Sequence, residues 1–164
     1  MNLTMQQIHT DSDIASLAAL ADEIWHEFFP GIITVGQVDY MVEKFQSAPA
    51  MRQQIADEYR YYFVRDANGI VGYIGIHPEE ERLFLSKLYL KKQYRGRGYG
   101  REMLAFTVQQ ARALGKSAVY LTVNRGNAHS IAVYRAAGFK PIRTQVADIG
   151  NGYVMDDYVM QLPV

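Results

Sequence analysis

A chain of 164 residues, 49% hydrophobic and 12% aromatic, has the length and apolar material for one domain, residues 1–164, with a packed core, which excludes disorder as its default state. Seventeen basic residues balance seventeen acidic ones, so no overall field draws the protein toward nucleic acid or an anionic membrane, and the absence of cysteine excludes disulfides, thiolate nucleophiles and sulfur-ligated zinc. Met1 to Met5 carry no basic segment followed by an apolar run, and no stretch reaches the ~20 apolar residues that span a bilayer, so a cytoplasmic protein is expected.

From Asp11 to Phe29 the residues Ile14, Leu17, Ala18, Ala21, Ile24, Trp25 and Phe28 recur at helical spacing, which predicts an amphipathic helix capped by an aspartate and ended near Pro30-Gly31. Val38, Met41, Val42 and Phe45 share a face of a second helix over about Val35 to Phe45, and a third fits around Ala50 to Tyr59. Arg60 to Arg65 and Ile70 to His77 flank Ala67-Asn68-Gly69 and predict a β-hairpin, because Asn-Gly favours a tight reversal. Leu83 to Leu90 is apolar on both alternating sets, as in a central strand covered on each face. After a glycine-rich turn, Met103, Leu104, Thr107, Val108, Ala111 and Leu114 form one stripe of a helix over Gly100 to Leu114, with Gly115 as its left-handed stop. Ser117 to Val123 reads as strand, Asn127 to Ala137 as a helix stopped by Gly138, and Phe139 onward as strand turning at Asn151-Gly152.

The turn Gln93-Tyr94-Arg95-Gly96-Arg97-Gly98-Tyr99-Gly100 lies between strand and helix. Such a turn aims successive amides outward at a helix N-terminus, where the helix dipole favours negative charge, so it suits a phosphate or pyrophosphate. Glycine leaves an anion's oxygens free to reach the amides, and Arg95, Arg97 and Arg101 surround the cradle with cations. The lysine and hydroxyl of the ATP-binding phosphate loop do not follow these glycines, which disfavours ATP hydrolysis. The spacing Gly96, Gly98, Gly100 also misses the dinucleotide fingerprint, and no acidic residue ends the next strand near Val123, which disfavours a nicotinamide cofactor. His9, His26, His77 and His129 lie far apart without a ligating pattern, so no metal is expected.

With strand, glycine turn, helix, strand and an Asn-x6-Tyr segment in series, the chain resembles the GNAT superfamily of acyl-CoA-dependent N-acyltransferases, in motif over Leu83 to Phe139 and elsewhere in layout. The resemblance implies an α/β (α+β) fold: a mixed, mostly antiparallel sheet with a splayed central strand pair, flanked by about four helices. It implies acetyl-CoA as cosubstrate, held by a pyrophosphate cradle of Gln93, Arg95, Gly96, Arg97, Gly98, Tyr99, Gly100 and Arg101. Leu88, Tyr89 and Leu90 would be the splayed strand beside the pantetheine, with a Leu90 amide for the oxyanion of the tetrahedral intermediate. Asn127 and Ser130 resemble cofactor contacts, and Tyr134 resembles the family's general acid: a phenol of pKa ~10 can protonate the departing thiolate.

An alkylammonium of pKa ~10.4 must lose a proton before its nitrogen can attack, yet Leu85-Ser86-Lys87-Leu88 lacks the glutamate that many members carry there as base. Glu27, Glu79 and Tyr61 are candidate bases by position, Glu27 foremost. Trp25, Glu27 and Asp157 are the candidate acceptor contacts, and at most one of Asp156 and Asp157 faces the site because strand neighbours point to opposite faces. Asp148 to Met160 is similar to the closing hairpin of bacterial spermidine/spermine acetyltransferases. The reading is acetyl transfer to a primary amine of a small molecule, with a polyamine-like acceptor among the options. No nucleic acid or membrane partner is expected, and monomer and homodimer both stay open. A non-catalytic acyl-CoA sensor and a protein N-terminal or lysine acetyltransferase are the alternatives.

Overall fold

Side-chain oxygens set the starts of the first three helices. The structure, a computed structural model, describes residues 3–164. Helix α1 (Asp11–Phe28) is capped by Thr10, whose hydroxyl oxygen accepts the Asp13 amide at 3.1 Å. Asp11, expected as the cap, instead joins Asp13 in the first turn, where both meet the positive end of the helix dipole. Thr34 caps α2 (Val35–Phe45) and Ser47 caps α3 (Ala48–Ala56) in the same way. Helix α3 stops short of its predicted end because Glu58, at φ 73°, turns the chain toward the sheet.

The strands are β1 (Thr4–Gln7), β2 (Arg60–Asp66), β3 (Gly69–Pro78), β4 (Arg82–Leu90), β5 (Ala118–Asn124), β6 (Lys140–Gly150) and β7 (Tyr153–Pro163). They form one sheet in the order β1-β2-β3-β4-β5-β7-β6, antiparallel throughout except between β4 and β5. The short edge strand β1 is not apparent in its sequence. Helices α4 (Tyr99–Ala113) and α5 (Ala128–Ala136) bring the helices among the described residues to five, the five that helical spacing predicts and one more than the four or so that the resemblance implies.

Alternation along the strands divides the apolar residues between two cores. Tyr61, Phe63 and Tyr73 pack with Leu17, Ala21 and Ile24 of α1, whereas Tyr62, Val64 and Ile74 pack with Met103 and Leu104 of α4 on the opposite face. A side chain as fully buried as Leu17 contributes about 2 kcal/mol of hydrophobic stabilisation.

The parallel pair is short, and this opens the sheet. Strands β4 and β5 pair only from Arg82↔Ala118 to Phe84↔Tyr120. Beyond that, β4 follows β3 as far as Leu90 and β5 follows β7 as far as Asn124, so the two diverge. Ser86 is the extra residue of a bulge, since Gly75 pairs with Lys87 and Ile76 with Leu85. The bulge resets the alternation: Phe84, Ser86, Lys87 and Tyr89 all line one side, while Leu83, Leu85, Leu88 and Leu90 pack on the other. Gly72 lets β3 approach β4 beside this site, because a Cβ there would lie 2.1 Å from the Tyr89 carbonyl oxygen.

Candidate active site

The glycine turn leads into a helix whose first amides lack intrahelical partners. Gly96 and Gly98 adopt φ 77° and 84°, left-handed angles that a side chain would disfavour. Gly98 begins α4 with no side-chain cap, and the first helical bond runs from the Glu102 amide to the Gly98 carbonyl at 3.3 Å. The preceding amides of Tyr99, Gly100 and Arg101 therefore have no intrahelical acceptor. A Cβ added at Gly96 or Gly100 would meet nothing within 4 Å, so space is open beside the turn at both glycines.

From this cradle a cavity of about 490 Å³ runs into the splay. Arg95, Gly96, Gly98, Gly100 and Arg101 form one end; Leu88, Tyr89 and Leu90 line it along β4, and Ser130 and Tyr134 along α5. Phe28, Leu104, His129 and Val133 complete the wall and were not singled out from sequence, although Leu104 lies one helical turn beyond Arg101 and Val133 one turn beyond His129. The side chains of the remaining expected cofactor contacts lie outside this cavity, although the Tyr99 amide belongs to the cradle. Gln93 is exposed, Arg97 lies over the Tyr94 ring, and the Tyr99 hydroxyl donates to Asp66 at 2.9 Å. Asn127 caps α5 by accepting the Ser130 amide at 3.2 Å.

Arg95 ties the cradle to α1. Its guanidinium donates twice to the Leu90 carbonyl, at 3.1 and 2.9 Å, and meets Glu27 at 2.6 Å while lying over the Phe28 ring. Glu27 thus binds Arg95 and lines neither cavity, which separates it from the acceptor-side role expected of it. Glu79 accepts from the Tyr120 hydroxyl at 2.7 Å, and Tyr61, fully buried, donates to Gln54; neither lines a cavity. The Lys91 amide donates to Val71 of β3, so alternation turns the Leu88 and Leu90 amides away from β3 and into the splay.

A second cavity, about 230 Å³, lies on the opposite side of the splay and shares Tyr89, Ser130 and Tyr134 with the first. Trp25, Phe29, Met41 and Phe45 give it apolar walls. Gln46, Ser86, Lys87, Asn127 and Asp157 give it polar ones. Asp157 is 3% exposed and its Oδ2 has no hydrogen-bond partner among the described residues. Burial, with a lesser push from the Asp156 carboxylate, raises the Asp157 carboxyl to about 6. Asp156 points the other way and lies 3.7 Å from Arg125. Burial pushes the Tyr134 phenol up to about 12 and pulls the Lys87 ammonium down to about 8.

Gln46 and Lys87 did not emerge from the sequence. Lys87 reaches the cavity through the bulge, and its Nζ donates to Ser86 Oγ at 2.7 Å. Gln46, the residue that ends α2, accepts the Tyr73 hydroxyl at Oε1, 3.0 Å away. Tyr73 in turn accepts the Trp25 indole N–H at 3.0 Å, and Gln46 Nε2 is left without a partner among the described residues.

A parallel strand pair that opens beside a glycine turn at a helix N-terminus, with a half-buried tyrosine between two cavities, has the layout of an acyl-transferase site. The chain belongs to the acetyltransferase (GNAT) family, whose profile matches residues 17–139. It is 30% identical over 86 residues to a spermine/spermidine N(1)-acetyltransferase of Bacillus subtilis, covering 48% of this chain and 56% of that protein. It is 34% identical over 77 residues to an L-methionine sulfoximine/L-methionine sulfone acetyltransferase of Pseudomonas aeruginosa, covering 46% and 44%. The chain thus spans about half the length of these curated relatives. The fold matches the crystal structure of PaiA N-acetyltransferase from Thermoplasma acidophilum in complex with coenzyme A, at TM-score 0.82 and 19% identity over the whole of both chains. Among the described residues, no helix is long and apolar enough to cross a membrane.

Proposed function

We propose that this chain transfers acetyl from acetyl-CoA directly to the primary amine of a small molecule. The observation that carries the reading is the meeting of two cavities at Tyr134, one ending in the glycine cradle and the other lined by Asp157, whose Oδ2 has no hydrogen-bond partner among the described residues. The cradle residues fit a pyrophosphate, since helix-start amides without intrahelical partners lie beside Arg101 and the open space at Gly96 and Gly100. Acetyl-CoA would supply the thioester that the amine attacks.

Asp157, raised to about 6, is roughly nine-tenths ionised at pH 7 and still basic enough to accept a proton from the ammonium. Tyr134 stays protonated across the neutral range and holds a proton for the leaving sulfur. The burial that raises Tyr134 also disfavours a free thiolate in the same cavity, which keeps donor and acceptor matched. The Leu88 and Leu90 amides, turned into the splay, offer donors to charge developing on the carbonyl oxygen.

A polyamine acceptor draws support from the Bacillus relative and an amino-acid-derived one from the Pseudomonas relative. The test is free thiol release from acetyl-CoA with amino acids, polyamines, aminoglycosides and short peptides. Acceptor-dependent release is expected, and Tyr134→Phe lowers kcat on the order of 10²-fold or more with acetyl-CoA binding retained. Binding of acetyl-CoA with no release under any acceptor would leave a cofactor-sensing domain instead.

A further inference from the structure

We infer that the amine accepted here is an amino-acid-type zwitterion, whose carboxylate is received by Gln46 Nε2 and the Lys87 ammonium while Asp157 receives its amino group. This rests on the acetyl-transfer reading and narrows it to a class of acceptor.

A single proton orients the Gln46 amide. An indole N–H can only donate, so the Tyr73 oxygen accepts from Trp25 and its own hydrogen goes to Gln46 Oε1. That relay leaves the Gln46 oxygen facing Tyr73 and the NH₂ group facing away. Gln46 is 1% exposed, lines the smaller cavity and has no partner for Nε2 among the described residues. Unpaired buried donors are costly and are normally matched. Here the match comes from the cavity's occupant.

The rest of the wall specifies that occupant further. Asp157 lines the same cavity, and its Oδ2 is an acceptor without a partner among the described residues. Lys87 adds a cation, and among the described residues it forms no ion pair; its Nζ is turned onto Ser86. A donor, a cation and a carboxylate complement a molecule carrying both an amine and an anionic oxygen group. Trp25, Phe29, Met41 and Phe45 leave apolar walls for a side chain, in a volume of about 230 Å³ suited to one amino acid. A polyamine fits less well. Its second ammonium would meet Lys87, and among the described residues Asp157 is the single carboxylate lining the cavity.

The experiment pairs leucine, methionine and phenylalanine with the amines left when their carboxylates are removed, and adds spermidine. Thiol release is measured with the full chain, and kcat/KM is corrected for each compound's free-amine fraction. The amino acid of at least one pair is expected to lead its amine on the order of 10²-fold, the effect of losing charge-assisted hydrogen bonds. Equal rates within every pair, or a preference for spermidine, would overturn the inference and leave acetyl transfer standing. No release from any compound would remove both. Gln46→Glu keeps an acceptor for the Tyr73 proton while removing the donor, so it should raise KM for the amino acid on the order of 10-fold or more relative to its paired amine. Lys87→Gln should give the same split. Equal losses on both members of a pair, in both variants, would show that these residues only support the fold.

Discussion

Replacing Asp157 with asparagine should make the protein more stable and nearly inactive. The carboxyl lies at about 6 in the folded chain against an unfolded value of 3.8, and two units of separation correspond to about 3 kcal/mol. Because the folded state binds this proton more tightly than the unfolded state, stability is greatest below 3.8, declines as the pH rises to about 6 and is flat above. An asparagine at this position would carry no such penalty, so D157N gains up to about 3 kcal/mol at pH 8 and roughly half of that at pH 5. For a domain of this size the gain at pH 8 corresponds to about 6–12 °C in Tm. The assay is thermal melting of both proteins at pH 5 and pH 8 without ligand, beside pH–rate profiles. The variant should lose on the order of 10²-fold or more in kcat/KM, together with the acidic limb near 6. An unchanged or lower Tm at pH 8, or the same difference at both pH values, would refute the account of Asp157 as a carboxylate kept ionised against its surroundings.

Glu27→Gln should leave the pH–rate profile in place and raise KM for acetyl-CoA, because Glu27 holds Arg95 rather than the amine; a displaced acidic limb would return Glu27 to the role of base. Gly72→Ala places a methyl 2.1 Å from the Tyr89 carbonyl oxygen, so β3 and β4 must separate; denaturant unfolding should show a loss of about 1–3 kcal/mol, and kcat should fall with it. Gly96→Ala has room for its methyl but meets it at φ 77°, so it should cost about 1–2 kcal/mol and raise KM for acetyl-CoA while sparing KM for the amine, as steady-state kinetics with each substrate varied in turn would show.

The glycine turn and the larger cavity were far more legible in the sequence than the smaller cavity, for physical reasons. Gly96, Gly98 and the helix after them are local in sequence, so their spacing carries the shape of the cradle directly. Tyr134 lies one short helix beyond Asn127 and is equally local. Asp157 could be narrowed to one of two neighbours because strand residues alternate, and the structure places it in the cavity with Asp156 outside. Lys87 escaped because Ser86 is a bulge, which no alternating pattern announces, and a lysine between leucines gives no sign of its side. Gln46 escaped because its importance lies in Trp25 and Tyr73, side chains brought together from distant parts of the chain. Glu27 was expected at the acceptor from its place near the end of α1, but one helical turn presents several faces, and its own faces Arg95.

That last turn of α1 serves both cavities at once. Trp25 and Phe29 wall the smaller one, while Phe28 lines the larger and Glu27 grips the cradle through Arg95. Residues this close on one helix share a stretch of backbone, so any shift that filling one cavity imposes there would be passed to the other. Such a linkage is reciprocal: whatever factor acetyl-CoA imposes on the affinity for the amine, the amine must impose on the affinity for acetyl-CoA.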